Sequence, residues 1–261
     1  SDMKPWFGVM KHFEKRSDKV RIGIVGKYME LHDAYKSLYE ALFHAGLECG
    51  VDVELVKIDS AGLEGTENPA NILDVDGILV PGGFGQRGIN GMVRASAWAR
   101  ENKVPYLGIC LGMHIMVIDW GRNVLNWSDA DSTEFNQDSK HPVVSLLEEQ
   151  VNITNYGGTM RLGASETVIE NGTHILAAYG EKRISERHRH RYEFSNQYRG
   201  EMVSSGLKLA AFTPDGALVE CVEWPDHPWG VGVQFHPEFK SKPTAASPLF
   251  REFINAVKNN K

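Results

Sequence analysis

Between residues 20 and 125, short apolar runs that suit β-strands alternate with segments that have helical periodicity. The run at 20–28 (VRIGIVGKY) is rich in β-branched residues, and a helical pattern opens at Asp33. Its apolar face carries Tyr35, Leu38, Leu42 and Ala45. Further strands are predicted at 51–59, 76–83 and 104–109, and further helices at 92–100 and 111–125. Because strands that alternate with helices form parallel sheets covered on both faces, this half predicts an α/β fold.

The second half of the chain has shorter strand-like runs, which predict antiparallel additions to the same sheet. They lie at 141–147, 157–164, 207–213, 217–224 and 230–236. A last helix is predicted from Pro248 to Lys258, with a buried stripe of Leu249, Phe250, Phe253, Ile254 and Val257. We therefore predict a mostly parallel central sheet with helices on both faces and some antiparallel edge strands, as one domain over residues 20–261.

Residues 1–19 precede the regular pattern. We interpret Ser1 and Asp2 as a tag remnant. Residues 4–19 mix a few apolar positions with many charges, which is typical of an interdomain linker.

The charge and the cysteines restrict the function. A formal net charge of -6 over 261 residues gives no electrostatic reason to expect binding to nucleic acid or an anionic membrane. Cys49, Cys110 and Cys221 are too few and too far apart for a disulfide framework or a metal site. No apolar run approaches the roughly 20 residues needed to span a bilayer, and no signal peptide is evident. These features predict a cytoplasmic protein.

Cys110 stands where a predicted strand meets a predicted helix, in the pentapeptide GICLG at 108–112. Two glycines allow a sharp turn that exposes the middle side chain above the sheet. The N-terminus of the following helix supplies backbone N–H groups where a tetrahedral oxyanion would form. The pattern therefore favours a nucleophile, while a small buried cysteine in a tight turn is the alternative.

A thiol nucleophile needs a base, and the base needs a group that orients it. Residues 234–238 (QFHPE) follow an apolar strand. In extended backbone His236 and Glu238 point to the same side, and Pro237 disfavours a helix there. The order of cysteine, histidine and glutamate suits amide hydrolysis, although a His-Pro-Glu string alone is also compatible with an ordinary loop.

Three of these blocks resemble the signatures of class I glutamine amidotransferases: PGGFG at 81–85, GICLGM at 108–113 and FHPE at 235–238. More narrowly, the chain resembles the glutaminase domains of CTP synthases. That resemblance rests on GKYMELHDAYKS at 26–37, PGGFGQRG at 81–88, DSTEF at 131–135, GGTMRLG at 157–163, ERHRHRYE at 186–193 and HPEF at 236–239. The blocks extend over nearly all of residues 20–258.

The resemblance implies that Cys110 is the nucleophile, His236 the base and Glu238 its orienter. It implies backbone donors for the oxyanion at Gly83 and Leu111. The substrate-binding residues that it implies are Gly83, Leu111, Gly112, Met113, His114, Glu134 and Arg191. Among these, Glu134 would hold the α-ammonium of glutamine and Arg191 its α-carboxylate.

The resemblance also places Arg87 in a lid near an allosteric GTP site, and residues 26–37 toward an interface with a synthetase domain. Without the resemblance, the run ERHRHR at 186–191 would be read as a solvated basic edge. Glu134 would be read as an ordinary surface acid.

Three positions depart from the family pattern. His114 stands where the family usually has a glutamine that contacts the substrate, so it either donates a hydrogen bond or turns into the core. We expect a shifted but working site. Asn90 and His32 replace the usual acidic residue and proline near the lid and the interface.

The resemblance implies a ligase of pyrimidine biosynthesis that aminates UTP with ATP, Mg²⁺ and allosteric GTP, as a homotetramer of the full-length chain. No GxxxxGK[ST] phosphate loop occurs in this sequence. The expected reaction of these residues is therefore hydrolysis of L-glutamine, with no cofactor or metal in this domain and with the synthetase domain as partner.

Two other interpretations stay open. The first is a hydrolase of γ-glutamyl amides, against which the linker-like segment and the arginine-rich block argue. The second is a catalytically silent regulatory module, which His114 alone favours. The intact Cys110, His236 and Glu238 argue against it.

Overall fold

A nine-stranded sheet organises the computed structural model, which describes residues 3–14, 18–29, 33–146 and 160–261. Its strands, with those of a small second sheet, are β1 Asp18–Gly26, β2 Val51–Asp59, β3 Gly77–Val80, β4 Tyr106–Ile109, β5 Asp131–Ser132, β6 Pro142–Leu146, β7 Arg161–Ile169, β8 Arg183–His190, β9 Tyr192–Phe194, β10 Lys208–Phe212, β11 Val219–Glu223 and β12 Gly230–Val233. The helices are α1 Lys4–Glu14, α2 Lys36–Cys49, α3 Ile89–Glu101, α4 Leu111–Asp119, α5 His174–Tyr179, α6 Arg199–Ser204 and α7 Pro248–Asn260.

The strand order of the large sheet is β2-β1-β3-β4-β12-β11-β10-β7-β8. The pairs from β2 through β12 are parallel, and those from β12 through β8 are antiparallel. The predicted fold class is therefore confirmed, and the antiparallel strands extend one side of the parallel sheet.

Helices cover both faces of this sheet because successive strand residues point to opposite sides. In β3, Leu79 packs in one apolar cluster with α2 and α7, whereas Ile78 and Val80 pack in the other with α3 and α4. The predicted apolar face of α2 and the predicted stripe of α7 are both buried. Strand β3 thus contributes to two hydrophobic cores.

Strand β8 corrects the interpretation of residues 186–191 as a solvated edge, which the run would have without the resemblance. Its side chains alternate between exposed and buried, with Glu186, His188 and His190 facing inward and the arginines outward. Period-two burial is what a strand with one covered face requires. The basic residues therefore occupy only one side of a partly buried strand.

The second sheet was not predicted. It has the order β5-β6-β9, with β5 and β6 parallel and β6 and β9 antiparallel. Glu134 follows β5, and Arg191 is the single residue between β8 and β9. The chain therefore turns from one sheet to the other at Arg191.

Two segments differ from the predicted elements in extent. Residues 4–14 form helix α1 where no regular structure was expected, and the predicted helix 111–125 ends at Asp119 and continues as one wider turn through Trp120–Val124. Leu147 and residues 157–159 of the predicted strands, with His32, lie outside the described residues. No helix in the described part of the chain is long and apolar enough to cross a membrane.

Candidate active site

The carboxyl ends of three adjacent parallel strands meet at one edge of the sheet. Gly82 and Gly83 follow β3, Cys110 follows β4, and His236 lies just beyond β12. Open α/β sheets bind their ligands at this edge. The fold therefore brings together residues that are more than a hundred positions apart in the sequence.

Cys110 has an unusual backbone conformation, with φ 53° and ψ -102°. A positive φ is costly for a residue with a Cβ, and such strain persists only where the surroundings enforce it. The Cys110 N–H donates to the Val233 carbonyl at 2.7 Å, and the Cys110 carbonyl accepts from the Met113 N–H at 3.0 Å. The nucleophile candidate is thus held between β12 and the first turn of α4.

The two glycines of the pentapeptide are required by space. A Cβ on Gly108 would lie 2.5 Å from the carbonyl carbon of Gly112, and a Cβ on Gly112 would lie 2.2 Å from the Val80 carbonyl oxygen. Neither backbone atom can move aside without breaking the sheet or the helix. The structure therefore supports the predicted sharp turn at Cys110.

His236 and Glu238 are in contact, as the spacing predicted. Nδ1 of His236 lies 2.8 Å from Oε1 of Glu238, and the imidazole stacks on the Phe239 ring at 5.3 Å between centroids. The backbone is a 3-10 turn over Pro237–Lys240 rather than an extended segment. A proline is tolerated at the first position of such a turn, because its missing N–H would have no partner there.

The environment of His236 favours its charged form. Burial lowers the pKa of the imidazole, but the Cys110 sulfur and the Glu238 carboxylate outweigh burial and raise the pKa to about 10. Nε2 is buried and makes no hydrogen bond within the described residues, so the interaction with the sulfur is electrostatic. The Cys110 sulfur contributes most to the upward direction of this pKa, and the Glu238 carboxylate at 2.8 Å contributes next.

Gly82 separates the cysteine from the histidine. A Cβ placed on it would lie 2.9 Å from Cε1 and 3.7 Å from Nε2 of His236, and 3.5 Å from the Cys110 Cβ. Only a residue without a side chain leaves room for the two groups to face each other. A Cβ placed on Gly83, the next residue, would lie 3.3 Å from Cδ2 of Leu111.

A cavity of about 410 Å³ opens beside these groups. Its lining includes Cys110, His236 and Glu238, and also two charged residues that sequence reasoning missed, Asp33 and Arg189. Among the described residues, this lining does not include Glu134, Arg191 or His114. The alternation of exposed and buried residues along β8 could have identified Arg189 as an exposed cation, because it lies on the same side of the strand as Arg187.

Glu134 and Arg191 are nevertheless close to each other. Burial raises the pKa of Glu134, while the Gly85 N–H and the positive charges of Lys27 and Arg191 lower it. Oε1 of Glu134 accepts a hydrogen bond from the Gly85 N–H at 2.8 Å. The structure thus places Glu134 against the glycine-rich loop that follows β3.

Lys27 is a buried lysine beside this loop, and the sequence did not predict its burial. Its Nζ donates to the carbonyls of Phe84 and Gly85. Burial lowers the pKa of Lys27 to about 8, with Glu134 opposing and Arg87 adding to the effect. Arg87 itself is 66% exposed and pairs with Asp59 at 3.2 Å.

His114 lies behind Cys110 rather than in the cavity. Its side chain is 3% exposed, and its Nε2 lies 2.8 Å from Oε1 of Gln234. Burial lowers the pKa of His114 to about 4, so the ring is neutral at pH 7. Of the two expectations for this departure, the turn into the core is the one observed, and the hydrogen bond that His114 forms there is to Gln234.

Gln234 was also missed, although it stands two residues before His236 and therefore on the same side of the chain. Its Nε2 lies 3.9 Å from the Cys110 sulfur. Met113 is fully buried, so its side chain packs in the core and only its backbone can face a ligand. No group of three or more histidine, cysteine or acidic side chains in the described ranges is arranged to hold a metal ion.

The comparisons with known proteins agree with this geometry. The family model for class I glutamine amidotransferases matches residues 30–256. CTP synthase from Listeria innocua serovar 6a is 50% identical over 262 residues, which is 100% of this chain and 49% of that protein. CTP synthase from Carboxydothermus hydrogenoformans is 51% identical, with the same coverage of each chain. The chain therefore spans about half the length of the curated relatives it matches.

Solved structures show the same relationship. The glutaminase domain of Trypanosoma brucei CTPS, solved with bound acivicin, is 39% identical with a TM-score of 0.87, and the match covers 92% of this chain and 94% of that one. A glutamine amidotransferase from Thermotoga maritima shares the fold, at 12% identity and a TM-score of 0.53, over 92% of this chain and 96% of that one. This chain therefore belongs to the class I glutamine amidotransferases, within the group of CTP synthase glutaminase domains.

Proposed function

We propose that this chain hydrolyses L-glutamine to glutamate and ammonia through a thioester on Cys110. The observation that carries the proposal is the geometry at the edge of the sheet. A strained Cys110 faces His236 across Gly82, and His236 is held by Glu238 at 2.8 Å. A nucleophile, a base and an orienting group in this order support covalent amide hydrolysis.

In the first half of the reaction, the Cys110 thiolate attacks the side-chain amide carbon of glutamine. The oxyanion that forms would be stabilised by the backbone N–H groups of Gly83 and Leu111, since the first N–H groups of α4 have no partner within the helix. The protonated His236 gives its Nε2 proton to the amide nitrogen. The C–N bond breaks, ammonia leaves and a thioester remains.

In the second half, the neutral His236 takes a proton from water as the water oxygen attacks the thioester carbon. The C–S bond then breaks, the sulfur leaves as thiolate and the imidazolium is restored. The carboxylic acid that forms releases its remaining proton. Glu238 holds the ring throughout, and its charge stabilises the imidazolium that is present before the attack on glutamine and again after the thioester is hydrolysed.

The head group of glutamine is assigned to Glu134 and Arg191. Their mutual electrostatic contact supports a site that takes an α-ammonium beside one and an α-carboxylate beside the other. Leu111, Gly112, Met113 and His114 would contribute to substrate binding through the first turn of α4. The side chain of His114 acts through Gln234 rather than by direct contact.

We further propose that the ammonia serves ATP-dependent amination of UTP to CTP in a synthetase domain. Support comes from the curated CTP synthases, which are about twice as long as this chain. A row of exposed apolar side chains along α1 also suits a covered surface. It comprises Met3, Trp6, Phe7, Met10 and Phe13.

The whole enzyme would use ATP, Mg²⁺ and allosteric GTP and assemble as a homotetramer. Arg87 remains the proposed lid residue near the GTP site. The free thiols of Cys49, Cys110 and Cys221 support a reducing compartment such as the cytoplasm.

The proposed glutaminase activity is tested with 6-diazo-5-oxo-norleucine, a glutamine analogue that alkylates the nucleophile. We expect intact mass and peptide mapping to show one label, on Cys110, that excess glutamine slows and that Cys110→Ala abolishes. Cys221, which is fully buried, serves as an internal control for unfolding. A folded protein that takes no label at Cys110, although iodoacetamide reaches it, would refute the proposal.

Substrate preference distinguishes a glutaminase from a hydrolase of γ-glutamyl amides. A γ-glutamyl hydrolase would release products faster from γ-glutamyl peptides than from free glutamine. We expect the opposite order, measured as kcat/KM for both substrates.

A further inference from the structure

We propose that Gln234 is a catalytic residue of this site, whose side-chain amide donates a hydrogen bond to the Cys110 sulfur, and that His114 is the positioning residue that orients this amide. The inference rests on the proposed function in one respect, that Cys110 is the nucleophile. It adds a hydrogen-bond donor to the sulfur, with which His236 interacts electrostatically.

The position of Gln234 is set by the sheet. Its backbone N–H donates to the Glu220 carbonyl at 2.9 Å, and the preceding Val233 carbonyl accepts from the Cys110 N–H at 2.7 Å. The same strand end therefore holds both the backbone of the nucleophile and the side chain that approaches its sulfur. Gln234 is 0% exposed, so solvent does not compete for its amide.

The polarity of the amide decides whether it helps or hinders a thiolate. With Nε2 toward the sulfur, the amide donates a hydrogen bond that stabilises the anion. With Oε1 toward the sulfur, a carbonyl dipole would repel it. The structure places Nε2 of Gln234 3.9 Å from the sulfur and Oε1 2.8 Å from His114.

His114 accounts for this orientation. A neutral imidazole carries one ring N–H, and the amide keeps its donor on the sulfur only when that hydrogen is on Nε2 of His114. The competing tautomer would place the hydrogen on Nδ1 and need another acceptor. The Tyr192 carbonyl also interacts with the His114 ring, so substitutions of His114 test which tautomer orients the amide.

The test measures the thiol directly and does not require glutamine. The rate of Cys110 alkylation by iodoacetamide is followed from pH 5 to 10 by peptide mass spectrometry. Gln234→Met keeps the length of the side chain and removes the donor. We expect its alkylation rate at pH 7 to fall about tenfold and the midpoint of its rate–pH profile to move about one unit upward, because hydrogen bonds to charged groups have this strength.

The His114 variants separate positioning from packing. His114→Leu should shift the midpoint in the same direction, whereas His114→Gln restores an N–H donor at a similar reach and should return it toward the wild-type value. Labelling of the buried Cys221 reports loss of the fold in every variant. A merely structural role would expose Cys221 and leave the midpoint for Cys110 unchanged.

The proposal is overturned if Gln234→Met has the wild-type midpoint while Cys221 stays protected. If Gln234→Met unfolds, the His114 pair decides, and equal midpoints for His114→Leu and His114→Gln overturn it. If these shifts appear but the wild-type protein does not hydrolyse glutamine, the proposed function is refuted together with the catalytic role of Gln234, and only the hydrogen bond to the sulfur stands.

Discussion

Substitution of Gly82 by alanine tests whether the facing arrangement of Cys110 and His236 is the catalytic one. The added Cβ would lie 2.9 Å from Cε1 of His236, whereas carbon atoms pack at about 3.5–4.0 Å. The imidazole must therefore move by about 0.5–1 Å or turn away from the sulfur. Such a displacement costs about 10²-fold in rate, or about 2.7 kcal/mol of transition-state stabilisation.

The protein should remain folded, because Gly82 does not need a positive φ and alanine restricts the unfolded chain. We expect kcat for glutamine hydrolysis, measured by glutamate release, to fall about 10²-fold with the melting temperature nearly unchanged. Gly83→Ala is the matched control. Its Cβ would lie 3.3 Å from the flexible end of Leu111 and at ordinary contact distances of 3.9 and 4.0 Å from Tyr28 and Lys27. The backbone N–H of residue 83 is kept, so kcat should fall by less than about tenfold.

A Gly82→Ala protein with kcat within threefold of the wild type would refute the reasoning. It would mean that His236 does not act on the sulfur from its position across Gly82. A loss of the same size in both alanine variants would also count against it, because only one of them places a methyl group against the imidazole.

Three further perturbations follow from the structure. Glu238→Gln should return the pKa of the paired histidine from about 10 toward its ordinary value and lower kcat by about 10²-fold or more, seen by NMR titration and steady-state kinetics; an unchanged titration would contradict the assigned pair. Glu134→Gln should raise KM for glutamine about tenfold with little change in kcat, and a wild-type KM would exclude Glu134 from the head-group site. Acid should destabilise the fold, because burial lowers the pKa of His188 to about 3 and of His227 to about 4. Their stabilisation is complete above pH 6.5 and is lost as pH falls toward those values, by about 1.4 kcal/mol per pH unit for each histidine. Glu193, whose pKa burial raises to about 8, acts with the opposite sign from pH 4.5 upward, as do Glu186 and Glu220, whose pKa burial also raises. Urea unfolding between pH 5 and 7 should therefore show a smaller gain of stability with rising pH in His227→Gln than in the wild type, and parallel profiles would contradict it.

The local sequence was sufficient for the strands of the parallel core, for helices such as α2 and α7, and for the sharp turn at Cys110. It also predicted that His236 and Glu238 meet, although they do so in a 3-10 turn rather than in the expected extended segment. These features depend on neighbours within about five residues. Backbone sterics and the periodicity of side chains act at that range.

The surroundings of the thiol were decided by the tertiary structure. His114 and Gln234 are 120 residues apart in the chain, and Lys27 meets Gly85 across 58. Periodicity tells which side of a strand is buried, but it does not tell which strand lies beside it, because hydrophobic burial is non-directional. The inward row of β8 shows the same limit. Composition suggested a solvated basic edge, and only pairing with β7 turned Glu186, His188 and His190 into the protein, where burial changes their ionisation.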